Sequence, residues 1–364
     1  MTMPRRIDIT ASVFDLCPLF VVLVIAALGI AQIDSAILGM PLPLRDLSIE
    51  QKIVEMLIFA IPFALATGPA TWRGWVNVLA AGLILPLGQT IMPWVSTETI
   101  WALPFVYDPQ VVALDGALGF QPSFVLGDAF ARDPLFAAIC IGIYAAVILP
   151  TALVALAEGY RGRRTGPGAL PIFLVIGGFG FTLYHLFPVI GPASNFIGSY
   201  PYPELFGHDP GPRNAMPSCH TAWVLMAVLT SRGMHWTIRI LLAVAALGTM
   251  IATLGTGAHY LTDLIVACPF VLLVRAVCAI GLPLMAPERI GPALSGAGMI
   301  AAWGLAVRGV IAPAAIPGLV PAVMLATVVA SYWLEHKLAL AERRTVRFPA
   351  AAAMRARPVG IDQR

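Results

Sequence analysis

The chain has 364 residues, a formal net charge of +3 and a mean hydropathy of +0.85. Hydrophobic residues make up 59% of it and charged residues only 11%, whereas soluble domains carry about 25% charged residues. This composition excludes an ordinary soluble domain and predicts an all-α integral membrane protein. The small net charge gives no indication of a nucleic-acid partner, because membrane topology rather than one surface patch distributes the cations.

Apolar runs near the ~20-residue length that crosses a bilayer recur along the chain. They predict about ten transmembrane helices, at residues 14–32, 53–68, 76–93, 135–157, 170–187, 218–230, 238–254, 261–277, 292–312 and 316–333. The first run lacks a small-residue cleavage site, so we expect a retained helix rather than a signal peptide.

Residues 94–134 form a long connection between predicted spans. Aromatic residues are interleaved there with five acids: Glu98, Asp108, Asp115, Asp128 and Asp133. The pattern fits a plain amphipathic connector. It also fits an interfacial segment whose aromatic rings lie at the depth of the lipid headgroups and form a headgroup site.

Positive charge determines the expected orientation, because cytoplasmic loops of membrane proteins are enriched in lysine and arginine. With the N-terminus inside, the cytoplasmic segments hold Arg5, Arg6, Arg73, Arg161, Arg163, Arg164, Arg232, Arg239, Arg275, Arg289 and the basic tail. The other side holds Arg45, Lys52, Arg132, Arg213 and Arg308. We therefore expect a bacterial inner-membrane protein with both termini in the cytoplasm. The loops around His220 and His259 then face the periplasm.

Two short motifs place histidines at the mouths of predicted helices. One is Pro217-Ser218-Cys219-His220, and the other is His259-Tyr260-Leu261-Thr262-Asp263. A histidine at the end of a membrane helix is costly to bury and is a candidate functional residue. Because both motifs are expected on the same side, the two histidines can face one substrate.

The first motif is suited to bind a phosphate. We expect Pro217 in the first turn of a helix, where the backbone N–H groups of Ser218 and Cys219 and the helix dipole attract an anion. The Ser218 hydroxyl adds a donor, and Arg213 offers a guanidinium fork to phosphate oxygens. His220, one turn into the helix, can protonate a leaving oxygen.

The second motif is suited to nucleophilic catalysis. His259 can attack phosphorus with one ring nitrogen, while Asp263 accepts the other N–H and stabilises the cationic intermediate. Structural interpretations stay open: His220 as an interfacial cap, His259 with Asp263 as a helix-end pair, and Arg213 as a residue that reaches the headgroups. Two histidines and one carboxylate have no spacing diagnostic of a metal site, so we expect neither metal nor cofactor.

The residues around both motifs resemble the type 2 phosphatidic acid phosphatase superfamily. The stretch from Ala215 to Trp223, AMPSCHTAW, is similar to the second motif of its inositol phosphorylceramide synthase-like branch. The stretch from Ala258 to Asp263, AHYLTD, resembles the third motif of that branch and of the sphingomyelin synthases. The resemblance implies that His259 is the nucleophile, Asp263 its partner and His220 the acid.

The resemblance spans about residues 76–277 and implies a six-helix catalytic core there. On this basis the chain divides into N-terminal transmembrane helices at 1–75, the core at 76–277, C-terminal transmembrane helices at 278–337 and a basic disordered tail at 338–364.

The departures from the superfamily pattern concern phosphate-binding groups. The first of the three superfamily motifs, which precedes both histidine motifs, carries a lysine and an arginine. The matching window of this chain, from Tyr184 to Pro192, has neither. The third motif opens with Ser-Arg, where this chain has Ala252 and Thr253, and Cys219 replaces a glycine of the second motif. His185, inside the first window, is either an additional phosphate ligand or a core or interfacial histidine.

Loss of these groups is also seen in the lipid phosphotransferase branches of the superfamily. The leading hypothesis is a membrane lipid phosphotransferase that moves a phosphoryl or phospho-headgroup through a phosphohistidine. With water as acceptor, the enzyme would be a phosphatase of phosphatidic acid or polyprenyl phosphate. A non-catalytic lipid-phosphate binding or transport protein is the alternative of another class. The expected partners are membrane lipids, and the sequence indicates no protein partner.

Overall fold

The computed structural model describes residues 103, 105–151, 153–154, 169–202, 211–279 and 281–347. Within these ranges the chain is helical and has no strand, so the all-α prediction is confirmed. The helices are α1 (Asp108–Gly116), α2 (Pro122–Arg132), α3 (Pro134–Ala145), α4 (Ala169–Leu186), α5 (Pro192–Asn195), α6 (Cys219–Thr230), α7 (Trp236–Gly255), α8 (Leu261–Val277), α9 (Pro287–Val307) and α10 (Leu319–Arg347). The predicted spans at 14–32, 53–68 and 76–93 and the region 1–75 lie outside the described residues.

Three helices in the described part of the chain are long and apolar enough to cross a membrane. They are Trp236–Gly255, Pro287–Val307 and Leu319–Thr345. Shorter apolar helices are Pro134–Ala145, Val175–Leu186 and Cys219–Thr230. Large apolar side chains such as Leu247 and Leu325 are exposed on the long helices, as expected for surfaces that face lipid. The chain is therefore a membrane protein, while ten spans and a six-helix core stay predictions.

Helix α8 lies at the centre of the described bundle. It packs against α1, α4, α6, α9 and α10, while α7 packs against α2, α3 and α6. The main core contains fully buried side chains from several of these helices, including Val111, Ile176 and Phe270. This packing holds the N-terminal ends of α6 and α8 side by side, and those two ends carry the histidine motifs.

Several predicted boundaries differ from the structure. The span predicted at 135–157 is interrupted after α3, where the N–H of Val147 bonds to the carbonyl of Tyr144 and closes the helix. The span predicted at 292–312 begins instead at Pro287, which fits a first helical turn because proline has no N–H to lose there. It ends where Gly309 has φ +72° and the N–H of Val310 bonds to Leu305, as in a Schellman motif.

The last helix extends well beyond its predicted end. The span at 316–333 was expected to give way to a disordered tail at 338–364, but α10 continues to Arg347. Residues 338–347 are therefore helical. Glu335 and Glu342 are buried against arginines of the bundle, so internal ion pairs hold this part of α10 where the sequence favours a solvated tail.

The segment predicted as an amphipathic connector or an interfacial segment contains helices with buried side chains. Asp108 and Asp115 on α1 are both inaccessible to solvent, and α2 packs along α7. Phe130 of α2 is buried and leaves no room for a Cβ at Gly255. The described part of this segment, residues 105–134, thus contributes to the bundle that supports the histidines.

Candidate active site

His220 and His259 lie next to each other. Their ring centroids are 6.3 Å apart, and the ring planes are inclined by 62°. His220 is the second residue of α6, and His259 lies in the loop just before α8. Because α6 and α8 pack against each other, the structure brings the two predicted motifs into one site.

The start of α6 is capped and tied to α8. Ser218 is the N-cap, and its hydroxyl accepts the backbone N–H of Thr221 at 3.3 Å. Pro217 therefore precedes the helix instead of lying in its first turn, because serine is a favoured cap. The N–H of Ser218 donates to the backbone carbonyl of Asp263 at 3.2 Å. The backbone N–H of Ser218 is thus used within the protein, and its hydroxyl serves the helix as an acceptor.

Two backbone donors remain at this helix end. Among the described residues, the N–H groups of Cys219 and His220 have no acceptor. They lie at the positive end of the α6 dipole, where an anion is favoured. The Cys219 side chain is buried and leaves no room for a Cβ at Gly180. Of Cys219, therefore, the backbone N–H rather than the side chain is placed to contact a ligand, and that contact stays a prediction.

Asp263 holds both the start of α8 and the ring of His259. Its Oδ2 accepts the backbone N–H of Tyr260 at 2.8 Å and lies 3.5 Å from Nδ1 of His259. The carboxylate thus reaches back from the first turn of α8 to a histidine that precedes the helix. Nδ1 faces the carboxylate and has no hydrogen-bond partner among the described residues, so the hydrogen bond between the ring and the backbone of Ala215 falls on Nε2. Nε2 must leave that carbonyl before it can attack phosphorus.

The His259 ring is buried and neutral. Its residue is 4% exposed, and burial lowers the pKa of His259 to about 4, although a hydrogen bond with the backbone of Ala215 raises it. The backbone N–H of His259 donates to the carbonyl of Thr253 at 3.1 Å. At neutral pH the imidazole is therefore unprotonated, as a nucleophile must be.

Asp115 on α1 caps α8 from outside that helix. Its carboxylate accepts the backbone N–H groups of Leu261 and Thr262 at 2.7 and 3.0 Å and the Thr262 hydroxyl at 2.6 Å. Burial raises the pKa of Asp115, and these hydrogen bonds lower it. The sequence reasoning gave this residue no catalytic role, yet it fixes the helix start that positions His259.

Asp108 holds a second loop of the site. Its two carboxylate oxygens accept the N–H groups of Ile190 and Gly191, each at 3.0 Å. Burial raises the pKa of Asp108 to about 7, and the bond from Ile190 opposes that rise. Asp108 and Asp115 are two helical turns apart, so they share one face of α1. That spacing in an apolar segment is the signal by which the sequence could have revealed them.

Gly191 explains one departure from the superfamily pattern. Its φ is +86°, and a Cβ there would lie 2.4 Å from the carbonyl oxygen of Ala258. No side chain fits between this loop and the residue that precedes His259. A phosphate-binding arginine therefore cannot occupy this position of the first-motif window.

Tyr144 and Trp223 hold the ring of His220. The Tyr144 ring stacks on it with centroids 4.4 Å apart, and the hydroxyl lies 3.5 Å from Nδ1. Trp223 meets the imidazole edge-on at 5.5 Å. With Nδ1 facing a hydroxyl, Nε2 is the nitrogen left for proton transfer. Neither aromatic residue was assigned to the site from the sequence.

Arg213, which precedes the Pro217–His220 motif, donates hydrogen bonds to backbone carbonyls. Nε donates to the carbonyl of Leu103 at 3.0 Å, and one terminal nitrogen donates to Gly211 at 2.5 Å. The residue is 8% exposed, and the carboxylate of Asp108 interacts with it electrostatically. The guanidinium is thus held in place within the protein, and its predicted contact with phosphate stays a prediction.

His185 has the contacts of a helix-end residue. Its Nδ1 lies 2.9 Å from the carbonyl of Phe181 in α4, and Nε2 is buried without a hydrogen-bond partner in the described part of the chain. No contact described there joins His185 to His220 or His259. Its role as a phosphate ligand stays a prediction. The described residues also contain no group of three or more His, Cys, Asp and Glu that could hold a metal ion.

Comparison with known families supports the superfamily resemblance. A model of the PAP2 superfamily matches residues 109–277, from α1 to the end of α8. The matched segment contains Asp115, His220, His259 and Asp263. The match suggests a function of the lipid phosphatase or phosphotransferase type and assigns no branch. No curated protein and no solved structure gives a significant match.

Proposed function

We propose that the protein is a membrane lipid phosphotransferase that works through a phosphohistidine on His259. The observation that carries the proposal is the juxtaposition of His259 and His220 at 6.3 Å, with the Asp263 carboxylate at Nδ1 of His259. Reacting atoms approach to ~3–3.5 Å before bond formation. A phosphoryl group between the two rings can therefore reach both of them.

In the proposed first step, Nε2 of His259 attacks the phosphorus of the donor lipid. His220 gives a proton to the departing alcohol oxygen, and Asp263 stabilises the cationic ring of the phosphohistidine. The free N–H groups of Cys219 and His220 hold negative charge on the phosphate oxygens. In the second step His220 takes a proton from the acceptor alcohol, which attacks phosphorus and frees His259.

The acceptor decides between transferase and phosphatase. We infer a transferase of the inositol phosphorylceramide synthase-like type, in which a second lipid alcohol takes the phospho-headgroup. The argument is the first-motif window, where Gly191 excludes a side chain, and the third motif, where Ala252 and Thr253 replace Ser-Arg. This loss of phosphate-binding groups resembles the transferase branches.

Trapping of the covalent intermediate tests the proposal. Purified protein in lipid is mixed with phosphatidylinositol or phosphatidic acid that carries a ³²P label, and acid-labile label on the protein is counted. Wild type should become labelled, whereas His259→Ala should not. His235→Asn is the matched control, because His235 is an exposed helix cap at the other end of the bundle. Label on His259→Ala would contradict the mechanism.

The fate of the label identifies the acceptor. Added ceramide should collect the phosphoinositol headgroup as a lipid product, while a phosphatase would release it to water at the same rate with or without ceramide. The proposed steps use only side chains and backbone groups. Chelators should therefore leave labelling unchanged, and loss of labelling that a divalent ion restores would point to a metal enzyme.

We further propose that the histidines face the outer side of a bacterial inner membrane and that both termini are cytoplasmic. Ser199 is exposed near the histidine end, and Glu288 is exposed at the opposite end of the bundle. In cells with a permeabilised outer envelope, Ser199→Cys should react with an impermeant thiol reagent. Glu288→Cys should react only after cell lysis. Wild type, with its own cysteines, gives the background, and the reverse pattern would overturn the orientation.

A further inference from the structure

A basic cavity lies at the end of the bundle opposite to the histidines. Its volume is about 260 Å³, and it is lined by the turn after α6, the first turn of α7 and the C-terminal part of α10. His220 is the second residue of the 12-residue helix α6, and Arg232 lies just after its last residue, so the length of α6 separates the cavity from the histidines. The cavity is therefore distinct from the proposed active site.

The side chains that line the cavity include three arginines and no carboxylate. The polar lining consists of Arg232, Arg239, Tyr332, His336 and Arg343. Arg232 pairs with Glu335. Among the described residues, Arg239 and Arg343 take part in no ion pair. Two guanidinium groups are thus left to attract an anion, and guanidinium forks match the geometry of phosphate oxygens.

The wall of the cavity is fixed by buried contacts. Glu335 joins Arg232 to Arg275 of α8, and Arg275 also donates to Glu342 at 2.6 Å. The guanidinium of Arg232 lies 5.7 Å from the centre of the Tyr332 ring. These contacts connect α6, α8 and α10 and hold the basic side chains in place before a ligand arrives.

Aromatic residues place the cavity at the membrane surface. Trp236 is 64% exposed at the start of α7, and Tyr332 and Trp333 are exposed on α10 beside the cavity. The ammonium of Lys337 lies 3.5 Å from the centre of the Trp333 ring. Exposed tryptophan and tyrosine next to basic residues are typical of the depth at which lipid headgroups lie.

We propose that this cavity binds the phosphate of an anionic membrane lipid, at the membrane face opposite to the histidines. The acyl chains would lie along the apolar outer surface of α10, where Leu340 is exposed next to the cavity. Inorganic phosphate has the same charged group but lacks the chains. The lipid is therefore the favoured ligand.

Lipid retention tests the proposal. Protein purified in detergent is incubated with equal amounts of phosphatidylglycerol and phosphatidylcholine, and the bound lipid is counted by native mass spectrometry. Wild type should retain phosphatidylglycerol preferentially, and the Arg239→Gln, Arg343→Gln double variant should lose this preference about tenfold. Arg344→Gln is the matched control, because Arg344 is exposed on the same helix but does not line the cavity.

Further arms separate the possible outcomes. Inorganic phosphate should displace the lipid no better than chloride of equal ionic strength, and better displacement would overturn the lipid assignment. An equal loss in Arg344→Gln would show attraction to general surface charge and would also overturn the site. If the double variant is not monodisperse, Arg239→Gln alone tests the proposal, because Arg239 is exposed and has no ion-pair partner in the described part of the chain. Unchanged lipid retention in that variant would contradict the proposal.

Discussion

The two ends of α6 and α8 use buried charge in opposite ways. At the histidine end, the carboxylates of Asp115 and Asp263 accept backbone N–H groups and leave the imidazole rings to face each other. At the other end, Glu335 and Glu342 pair with arginine side chains. The same residue types thus position a reactive site at one end and join helices at the other.

The difference shows what each end can do chemically. A carboxylate that is held by backbone donors and faces a histidine can respond when that ring becomes cationic. A carboxylate paired with a buried arginine is already neutralised and contributes to helix packing. Substitutions at the histidine end should therefore affect rate, while those at the arginine end should affect stability.

Among the substitutions that test this difference between the two ends, His220→Ala should lower the turnover rate most. His220→Ala removes the proposed acid, and we expect the turnover rate to fall by about 10²–10⁴-fold. The phosphohistidine should still form slowly, because His259 and Asp263 remain. Rapid-quench measurement of label on the protein separates the two steps. A rate within a few-fold of wild type would show that another group donates the proton.

Asp115 should give the next largest effect. Asp115→Asn removes the charge that accepts three hydrogen bonds from Leu261 and Thr262. Hydrogen bonds to a charged group contribute about 1.5–3 kcal/mol, so we expect a loss of about 10–100-fold in turnover rate through misplacement of His259. The control is Asp128→Asn, at an exposed residue of α2. Equal effects of both substitutions would contradict the positioning role.

The pH dependence of the turnover rate should show the effect of burying His259. Burial lowers the pKa of His259 to about 4, whereas an ordinary histidine titrates near 6.5. His259 should therefore stay neutral and nucleophilic as the pH falls, and the acidic limb of the rate profile should lie below about pH 6. His220→Ala should keep this limb, because the substitution leaves the buried His259 ring in place. An acidic limb near 6.5 in both proteins would contradict the burial argument.

The histidines could be predicted from the sequence because each belongs to a local motif. Asp115 could not be assigned to the site, because its hydrogen-bond partners are distant in the sequence. The α8 boundaries at 261 and 277 agree with the predicted span, because a long apolar run there meets a capping residue and a basic end. Asp115 bonds to Leu261 across 146 residues of chain, so no local pattern connects the two. The fold had to bring them together before the role of Asp115 could be seen.

The C-terminal boundary was missed for a related physical reason. A sequence shows that Glu335, Glu342 and Arg343 are charged, but it does not show whether the charges are solvated or paired. In the structure the two glutamates are buried against arginines. The helix therefore continues where composition alone favours a solvated tail.

Glu342 should give the smallest effect on rate and the clearest effect on stability. Glu342→Gln removes one partner of the buried pair with Arg275, and breaking such a pair costs about 3–5 kcal/mol. Thermal unfolding in detergent should therefore occur at a lower temperature than in wild type. The turnover rate, measured well below the unfolding temperature, should stay within about twofold of wild type, because Asp115 still holds the other end of α8. Exposed Glu288→Gln is the control for loss of charge. A tenfold loss of turnover in folded Glu342→Gln protein would mean that the ion pairs transmit strain along α8 to His259, and the division between a reactive end and a structural end would then fail.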